Sequence, residues 1–113
     1  MDRLENQLIK YINRHYKPGR VDRASQRKNV NPKIWGAAGW KFIEKIVDGY
    51  PVQASARDRM HMLEFLTSLG HVLPCSKCRT NHITFSSKHP PSKYVQGRTQ
   101  VRKWVRMYKN TQK

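Results

Sequence analysis

The sequence predicts an all-α domain built as a helical bundle. Apolar residues recur at three- and four-residue spacing in several separate stretches, as on a helix with one buried face. No stretch alternates apolar and polar residues for the length of a strand, and no internal repeat is visible. Because 113 residues supply a single modest core, these helices must share it.

The first predicted helix lies near the N-terminus and is followed by a basic connector. Its positions at helical spacing are Leu4, Leu8, Tyr11, Ile12 and His15. Lys17-Pro18-Gly19 ends this helix, and the polar stretch up to Asn29 predicts a mobile connector. We therefore interpret residues 1–30 as a basic N-terminal extension and residues 31–113 as the compact domain.

Two further helices carry recognisable start signals. Asn31 before Pro32 is an N-cap followed by a first-turn proline, and Gly49-Tyr50-Pro51 ends that helix. Its later apolar stripe comprises Ile43, Ile46, Val47 and Tyr50. Ser55 with Asp58 resembles a capping box before the next helix. The predicted core face of that helix comprises Met62, Phe65, Leu66, Leu69, Val72 and Leu73.

The last two predicted helices complete the bundle. One runs from Cys75 to about Ser87 and is broken by Lys88-His89-Pro90-Pro91. The other begins near Gly97, and its apolar side comprises Val101, Trp104, Val105 and Tyr108. The fold class is therefore a four-helix bundle with an additional N-terminal helix and a basic connector.

Cys75 and Cys78 are the only cysteines, so any sulfur chemistry belongs to this pair. Two intervening residues allow a short disulfide loop, and a helix start favours a thiolate through its unpaired N–H groups and dipole. Lys77 and Arg79 add positive charge that acts in the same direction. A redox dithiol is the leading interpretation, although the CxxC pattern also occurs in zinc sites and by chance.

The alternatives to a redox pair are weaker but stay open. A zinc site would need His82 and His89, whose spacing differs from that of a classical finger. A purely structural disulfide would restrain little of the unfolded chain, because its loop is so short. We therefore assign no metal ligands.

Positive charge dominates the composition. Lys and Arg total 23 against 7 Asp and Glu, and no acidic residue follows Glu64. Such a field attracts nucleic acid, an acidic protein face or an anionic lipid surface, although a solubilising surface is the simpler explanation. No apolar run approaches membrane-spanning length, and the N-terminus with Asp2 and Glu5 is unlike a signal peptide, so we do not expect secretion.

A set of spaced residues resembles a known family. The set comprises Gly36, Trp40, Tyr50-Pro51, Phe65, Pro74-Cys75-Ser76-Lys77-Cys78, Arg98, Trp104 and Asn110. It resembles the Erv/ALR sulfhydryl oxidases, small helical FAD enzymes that make disulfides and pass electrons to oxygen. The stretch from Asn31 to Gly36, followed by Trp40, is similar to the short versions encoded by large DNA viruses. The resemblance begins at Asn31.

The resemblance implies roles for particular residues. Cys75 would exchange with substrate thiols, and Cys78 would lie nearer the flavin. Trp40 would pack on the flavin and Gly36 would allow a close backbone approach. The implied FAD contacts further along the chain are Glu44, Trp104, Arg106, Tyr108, Lys109 and Asn110. For the two tryptophans, ordinary core packing is the alternative.

Two positions depart from the family pattern. Glu44 stands where the family usually has a histidine, and Lys109-Asn110 begins a segment that is usually His-Asn-x-Val-Asn. Either Arg106 and Lys109 hold the FAD diphosphate by charge, or flavin binding is weak or lost. The histidine expected near the second cysteine corresponds to His82, one residue late.

We therefore expect a FAD-dependent thiol oxidase that uses Cys75 and Cys78. The chain lacks the second cysteine pair of longer relatives, so a thioredoxin-like or viral thiol protein would reach Cys75 directly. The resemblance also implies a homodimer, located in host cytoplasm, a viral factory or the virion. The alternative function is a catalytically weakened or inactive basic module that binds nucleic acid or serves as a virion component.

Overall fold

The computed structural model describes residues 3–15, without the side chain of His15, and residues 27–112. Within these ranges it contains five α-helices, one short 3₁₀ turn and no strand. The helices are α1 (Arg3–His15), α2 (Pro32–Asp48), α3 (Ala56–Val72), α4 (Ser76–Lys88) and α5 (Arg98–Thr111), and the 3₁₀ turn is Pro91–Lys93. The predicted all-α class is confirmed.

The predicted helix starts are formed by side-chain caps. The Oδ1 atom of Asn31 accepts a hydrogen bond from the Lys33 N–H at 3.0 Å. The Oγ atom of Ser55 accepts one from the Asp58 N–H at 3.1 Å. Each bond satisfies an amide that has no partner within its own helix, so both starts are encoded locally.

The bundle has two helix pairs around one core. α3 packs on α4, and α2 packs on α5. Trp104 is fully buried, and its Nε1–H donates to the His89 carbonyl at 2.8 Å. The Tyr50 hydroxyl donates to the Val95 carbonyl at 2.7 Å. These long-range bonds fix the loop between α4 and α5 against the core. They also give the buried polar groups the hydrogen-bond partners that they need.

The N-terminal helix α1 packs against α3 and the 3₁₀ turn. Leu8 is only 4% exposed and belongs to the main core, and the Tyr11 hydroxyl donates to Glu64 at 3.3 Å. The predicted amphipathic helix is therefore confirmed. Most of the predicted connector lies outside the described residues, and the division of the chain after Val30 stays a prediction.

The predicted core face of α3 is partly wrong. Val72 is 67% exposed, whereas Leu63 and Gly70 are buried beside Met62 and Leu66. The cause is a close approach of α4: a Cβ added at Gly70 would lie 2.8 Å from the Nδ1 atom of His82. This contact turns the Gly70 side of α3 inward and leaves Val72 facing solvent.

None of the helices in the described ranges is both long enough and apolar enough to cross a membrane.

Candidate active site

The cysteine pair lies at the start of α4 and is bonded as a disulfide, with the two Cα atoms 5.1 Å apart. Cys75 is the N-cap of α4, and its Sγ accepts a hydrogen bond from the Cys78 N–H at 3.1 Å. A sulfur at this position faces the unpaired amides and the positive dipole end of the helix. This environment stabilises a thiolate when the disulfide opens.

Short hydrogen bonds fix the backbone on both sides of Cys75. The Val30 N–H donates to the Pro74 carbonyl at 2.6 Å, and the Ser76 N–H donates to the Oδ1 atom of Asn29 at 2.8 Å. The Arg79 guanidinium donates to the Leu73 carbonyl at 2.6 Å. Cys75 itself is only 9% exposed, whereas Cys78 is half-buried.

His82 lies one helical turn after Cys78 and is 1% exposed. Its Nδ1 is 3.4 Å from the Ser86 hydroxyl, and its Nε2 is buried with no hydrogen-bond partner among the described residues. Burial, together with the nearby His71, lowers the pKa of His82 to about 4, so the ring is neutral at pH 7. The family resemblance, which implies a histidine near the second cysteine, is the signal that pointed to His82.

No group of three His, Cys, Asp or Glu side chains in the described ranges is arranged to hold a metal ion. The ring of His89, the second candidate in the zinc hypothesis, packs on Phe85 with centroids 4.8 Å apart. The two cysteines are bonded to each other. The described residues therefore give no support to the zinc alternative.

Aromatic rings connect α4 with α2 through α5. The centroids of His82 and Tyr108 are 5.1 Å apart, and those of Tyr108 and Trp40 are 5.3 Å apart. Burial raises the pKa of Tyr108 to about 12, so its hydroxyl stays protonated. The fold thus brings two of the sequence-predicted cofactor residues, Trp40 and Tyr108, onto a line of rings that leads to His82.

The two departures from the family pattern contact each other. Lys109 Nζ is 2.8 Å from the Glu44 carboxylate and 5.9 Å from the ring centroid of Trp40. An ion pair and a cation–π contact therefore lie beside Trp40, at the end of the line of aromatic rings between α2 and α5. Sequence reasoning treated Glu44 and Lys109 as separate changes, because their 65-residue separation hides the pairing.

The other predicted cofactor residues are more dispersed. Gly36 lies on α2 one turn before Trp40, and a Cβ added there would meet no atom within 4 Å. Trp104 is part of the core, with its ring edge-on to His82 at 5.9 Å. Arg106 and Asn110 are exposed on α5. Their contacts with a cofactor stay predictions.

A comparison with family models matches residues 37–111 to the Erv1 / Alr family. The match covers α2 from residue 37 onward and all of α3, α4 and α5, including the disulfide and the line of rings. The chain belongs to this family, which confirms the resemblance in the sequence.

Three curated relatives support the same assignment. A protein named a probable FAD-linked sulfhydryl oxidase of Acanthamoeba polyphaga mimivirus is 33% identical over 77 residues, covering 67% of this chain and 54% of the relative. A provisionally named FAD-linked sulfhydryl oxidase of invertebrate iridescent virus 3 is 27% identical, covering 65% and 49%. The mitochondrial FAD-linked sulfhydryl oxidase of Saccharomyces cerevisiae is 23% identical, covering 62% and 36%. The chain thus spans about half the length, or less, of these relatives.

Proposed function

We propose that this protein is a FAD-linked thiol oxidase in which Cys75 and Cys78 form the redox centre. The observation that carries the proposal is a disulfide at a helix N-terminus, one turn from a neutral buried histidine on a line of aromatic rings. The family membership and the printed names of the relatives agree with this chemistry.

The thiol chemistry follows from the position of the two sulfurs. A thiolate of a thioredoxin-like or viral thiol protein attacks Cys75, and the Cys75–Cys78 bond breaks with Cys78 leaving as a thiolate. A second partner thiol then attacks the mixed disulfide and releases Cys75. The amides at the start of α4 stabilise both thiolates. When bound, FAD would accept the two electrons and pass them to oxygen.

The residues present fit a flavin. Gly36 has open space where a side chain would stand, and the buried Nε2 atom of His82 has no protein partner among the described residues. Trp40 would present a flat apolar surface, while Arg106 and Lys109 would supply positive charge for a diphosphate. Because Lys109 is paired with Glu44, its contribution requires that this pair opens.

The test of the proposed function is spectroscopic and kinetic. We expect the purified protein to bind FAD, to absorb as an oxidised flavin and to consume oxygen when given a small dithiol. Cys75→Ser should stop turnover with flavin still bound, and the Cys78 thiolate left behind should give a long-wavelength charge-transfer band. Cys78→Ser should stop turnover without that band. A folded protein that takes up no added FAD, or equal residual activity in both variants, would reject the proposal.

We also propose that the protein forms a homodimer through the outer face of α2. Ile34 and Phe42 are 77% and 67% exposed, and Ala38 lies between them at helical spacing. Large apolar side chains aligned on a surface helix commonly mark a protein interface. Light scattering should give a dimer mass for the wild type and a monomer mass for Phe42→Glu. A monomeric wild type would contradict this arrangement.

A second function, binding of nucleic acid, is favoured by a groove between α2 and α5. The groove has a volume of about 680 Å³. Five cationic and two acidic side chains line it: Lys41, Lys45, Arg102, Arg106, Lys109, Glu44 and Asp48. Asp48 pairs with Arg102 at 3.1 Å and with Lys45 at 3.5 Å, so most of the remaining positive charge comes from Lys41 and Arg106. The phosphate groups of a nucleic acid would bind in such a groove. Binding of nucleic acid would be consistent with a location in a viral factory or virion.

A further inference from the structure

An extended segment of the chain, Arg27–Val30, lies along the backbone that precedes α4. It contacts three successive points there: the Arg27 guanidinium donates to the His71 carbonyl, the Val30 N–H donates to the Pro74 carbonyl, and Asn29 accepts from the Ser76 N–H. The Trp35 Nε1–H donates to the Val30 carbonyl at 2.9 Å and holds the segment against α2. We call Arg27–Val30 the strap.

The strap occupies the backbone groups that flank Cys75. The Pro74 carbonyl lies on one side of this residue and the Ser76 N–H on the other, and both bond to the strap. The Val30 bond joins backbone to backbone, as when an extended peptide adds to an exposed backbone edge, and the Asn29 side chain supplies the second bond on the other side of Cys75. The chain itself therefore shows an extended peptide bound beside the reactive disulfide.

The burial of Cys75 conflicts with open access of a partner to this residue. In the proposed reaction a partner thiol reaches Cys75, yet this residue is 9% exposed while Cys78 is half-buried. Attack on a disulfide depends on the access of the nucleophile to the sulfur. A macromolecular thiol therefore meets a larger barrier at Cys75 than a small reductant does.

We propose that the backbone flanking Cys75 is a docking track for an extended, cysteine-bearing segment of the thiol partner, and that the strap occupies this track in the absence of the partner. The inference rests on the proposed thiol exchange. The partner segment replaces the strap, bonds to the Pro74 carbonyl and the Ser76 N–H, and presents its cysteine to Cys75. All four residues of the strap are exposed to solvent, so the segment can leave without opening the core.

The exchange that the track supports is balanced in atoms and electrons. The peptide thiolate forms a bond to Cys75 Sγ, and the Cys75–Cys78 bond breaks with its electron pair on Cys78. A second peptide thiol, after losing its proton to solvent, attacks the mixed disulfide and releases Cys75 as a thiolate. The peptide dithiol loses two electrons, and the Cys75–Cys78 disulfide gains them.

The experiment weakens the strap and measures reduction of the disulfide in a single anaerobic turnover. Val30→Pro removes the N–H that bonds to Pro74, and Asn29→Ala removes the acceptor for Ser76. Lys28→Ala, an exposed position in the same strap, is the matched control. The full-length oxidised chain is mixed either with an unstructured peptide carrying two cysteines or with the phosphine TCEP. Alkylation and mass spectrometry then count the protein thiols, and the loss of flavin absorbance counts the electrons passed to any bound FAD.

With the peptide, we expect each strap variant to raise the second-order rate constant about three- to tenfold, since losing one hydrogen bond shifts the open population by about that factor. Lys28→Ala should change the rate constant less than about twofold, as expected of an exposed side chain. Reduction by TCEP should also change less than about twofold for all variants, because a small phosphine can reach the disulfide without binding along the track.

Unchanged or slower peptide reduction in both Val30→Pro and Asn29→Ala would overturn the proposal, as would an equal acceleration by TCEP. Urea unfolding confirms that each variant is folded. Asn29→Ala weakens the strap without introducing a proline, so it separates loss of a hydrogen bond from a backbone distortion. The rate constant is taken from the sum of protein thiols and reduced flavin, so it can be measured whether or not FAD is bound. A protein that fails to bind FAD but shows the peptide-selective acceleration would thus reject the oxidase while supporting the track.

Discussion

At the residue scale, His82 lies one helical turn after Cys78 and is buried in the core. The residue is buried against Gly70 on one side and against the rings of Trp104 and Tyr108 on the other. Its neutral ring can accept or donate a hydrogen bond near the flavin proposed for this site. The same burial makes the protein sensitive to acid.

The pKa of His82 predicts how stability depends on pH. Burial lowers this pKa from 6.5 to about 4, so the unfolded chain binds the proton more tightly. The contribution of neutral, buried His82 to the free energy of unfolding is fully present above pH 6.5 and is lost as the pH falls toward 4. Between pH 7 and pH 5 we expect the free energy of unfolding to fall by about 2 kcal/mol from this group.

Urea unfolding of wild type and His82→Gln at both pH values isolates this effect. In His82→Gln, most of the difference in the free energy of unfolding between pH 7 and pH 5 should disappear, because glutamine does not titrate in this range. His61→Gln changes an exposed histidine of α3 and should retain the wild-type difference. The same pH dependence in His82→Gln and wild type would show that His82 is not its source.

At the element scale, α1 is part of the folded core although the family match begins at residue 37. Leu8 is buried among the core residues, and α1 contacts α3 and the 3₁₀ turn. Removing residues 1–30 would therefore expose apolar surface on α3 as well as remove positive charge. Point substitutions separate these two effects more cleanly than a truncation does.

Leu8→Ala should destabilise the protein by about 2–4 kcal/mol, the usual cost of truncating a buried leucine and leaving a cavity. Thermal or urea unfolding followed by circular dichroism measures the change. Ile9→Ala, a half-buried neighbour on the same helix, is the control and should cost less. Equal small losses in both variants would mean that α1 unfolds independently of the bundle.

The elements were predictable from sequence where their determinants are local. The caps at Asn31 and Ser55 mark their helices because each bonds to an amide two or three residues away. The buried side of α3 was not fully predictable, since it depends on the close approach of α4 at Gly70. The position of the strap was not predictable either, because the hydrogen bond between Asn29 and Ser76 joins residues 47 positions apart.

In the candidate site, too, features set by the local sequence were predictable and features set by long-range packing were not. The CxxC pair at a helix start was readable from Pro74 and the spacing of the cysteines. The partners of Glu44 and Lys109 were not, because neither residue carries a local pattern that indicates the other. Packing of α2 on α5 brings them together.

At the scale of the whole molecule, the charge of +16 predicts salt-sensitive binding to nucleic acid. Neutralising Lys41 and Arg106 in the α2–α5 groove would remove two of the cations proposed to contact phosphate. The logarithmic salt slope of DNA affinity should therefore become shallower by about 2 units for the double variant with glutamine. Few features suggest base reading, so affinity should not depend on sequence.

Fluorescence anisotropy with a short labelled duplex across a range of salt concentrations provides the measurement. Lys88→Gln on α4 and Lys77→Gln near the disulfide form a double control, since both positions lie outside the groove. A control slope that falls as much as the groove variant's would indicate diffuse attraction. No binding at low salt would remove nucleic acid as a partner.

The ion pair between Glu44 and Lys109 has a consequence for how this sequence can change over evolution. Restoring a histidine at either position alone would leave the opposite charge without its partner beside Trp40. Because both side chains are about half exposed, that intermediate costs at most about 1 kcal/mol in stability. Any larger penalty would fall on binding of the flavin proposed for this edge. We therefore expect the two positions to be epistatic for flavin binding and nearly independent for folding.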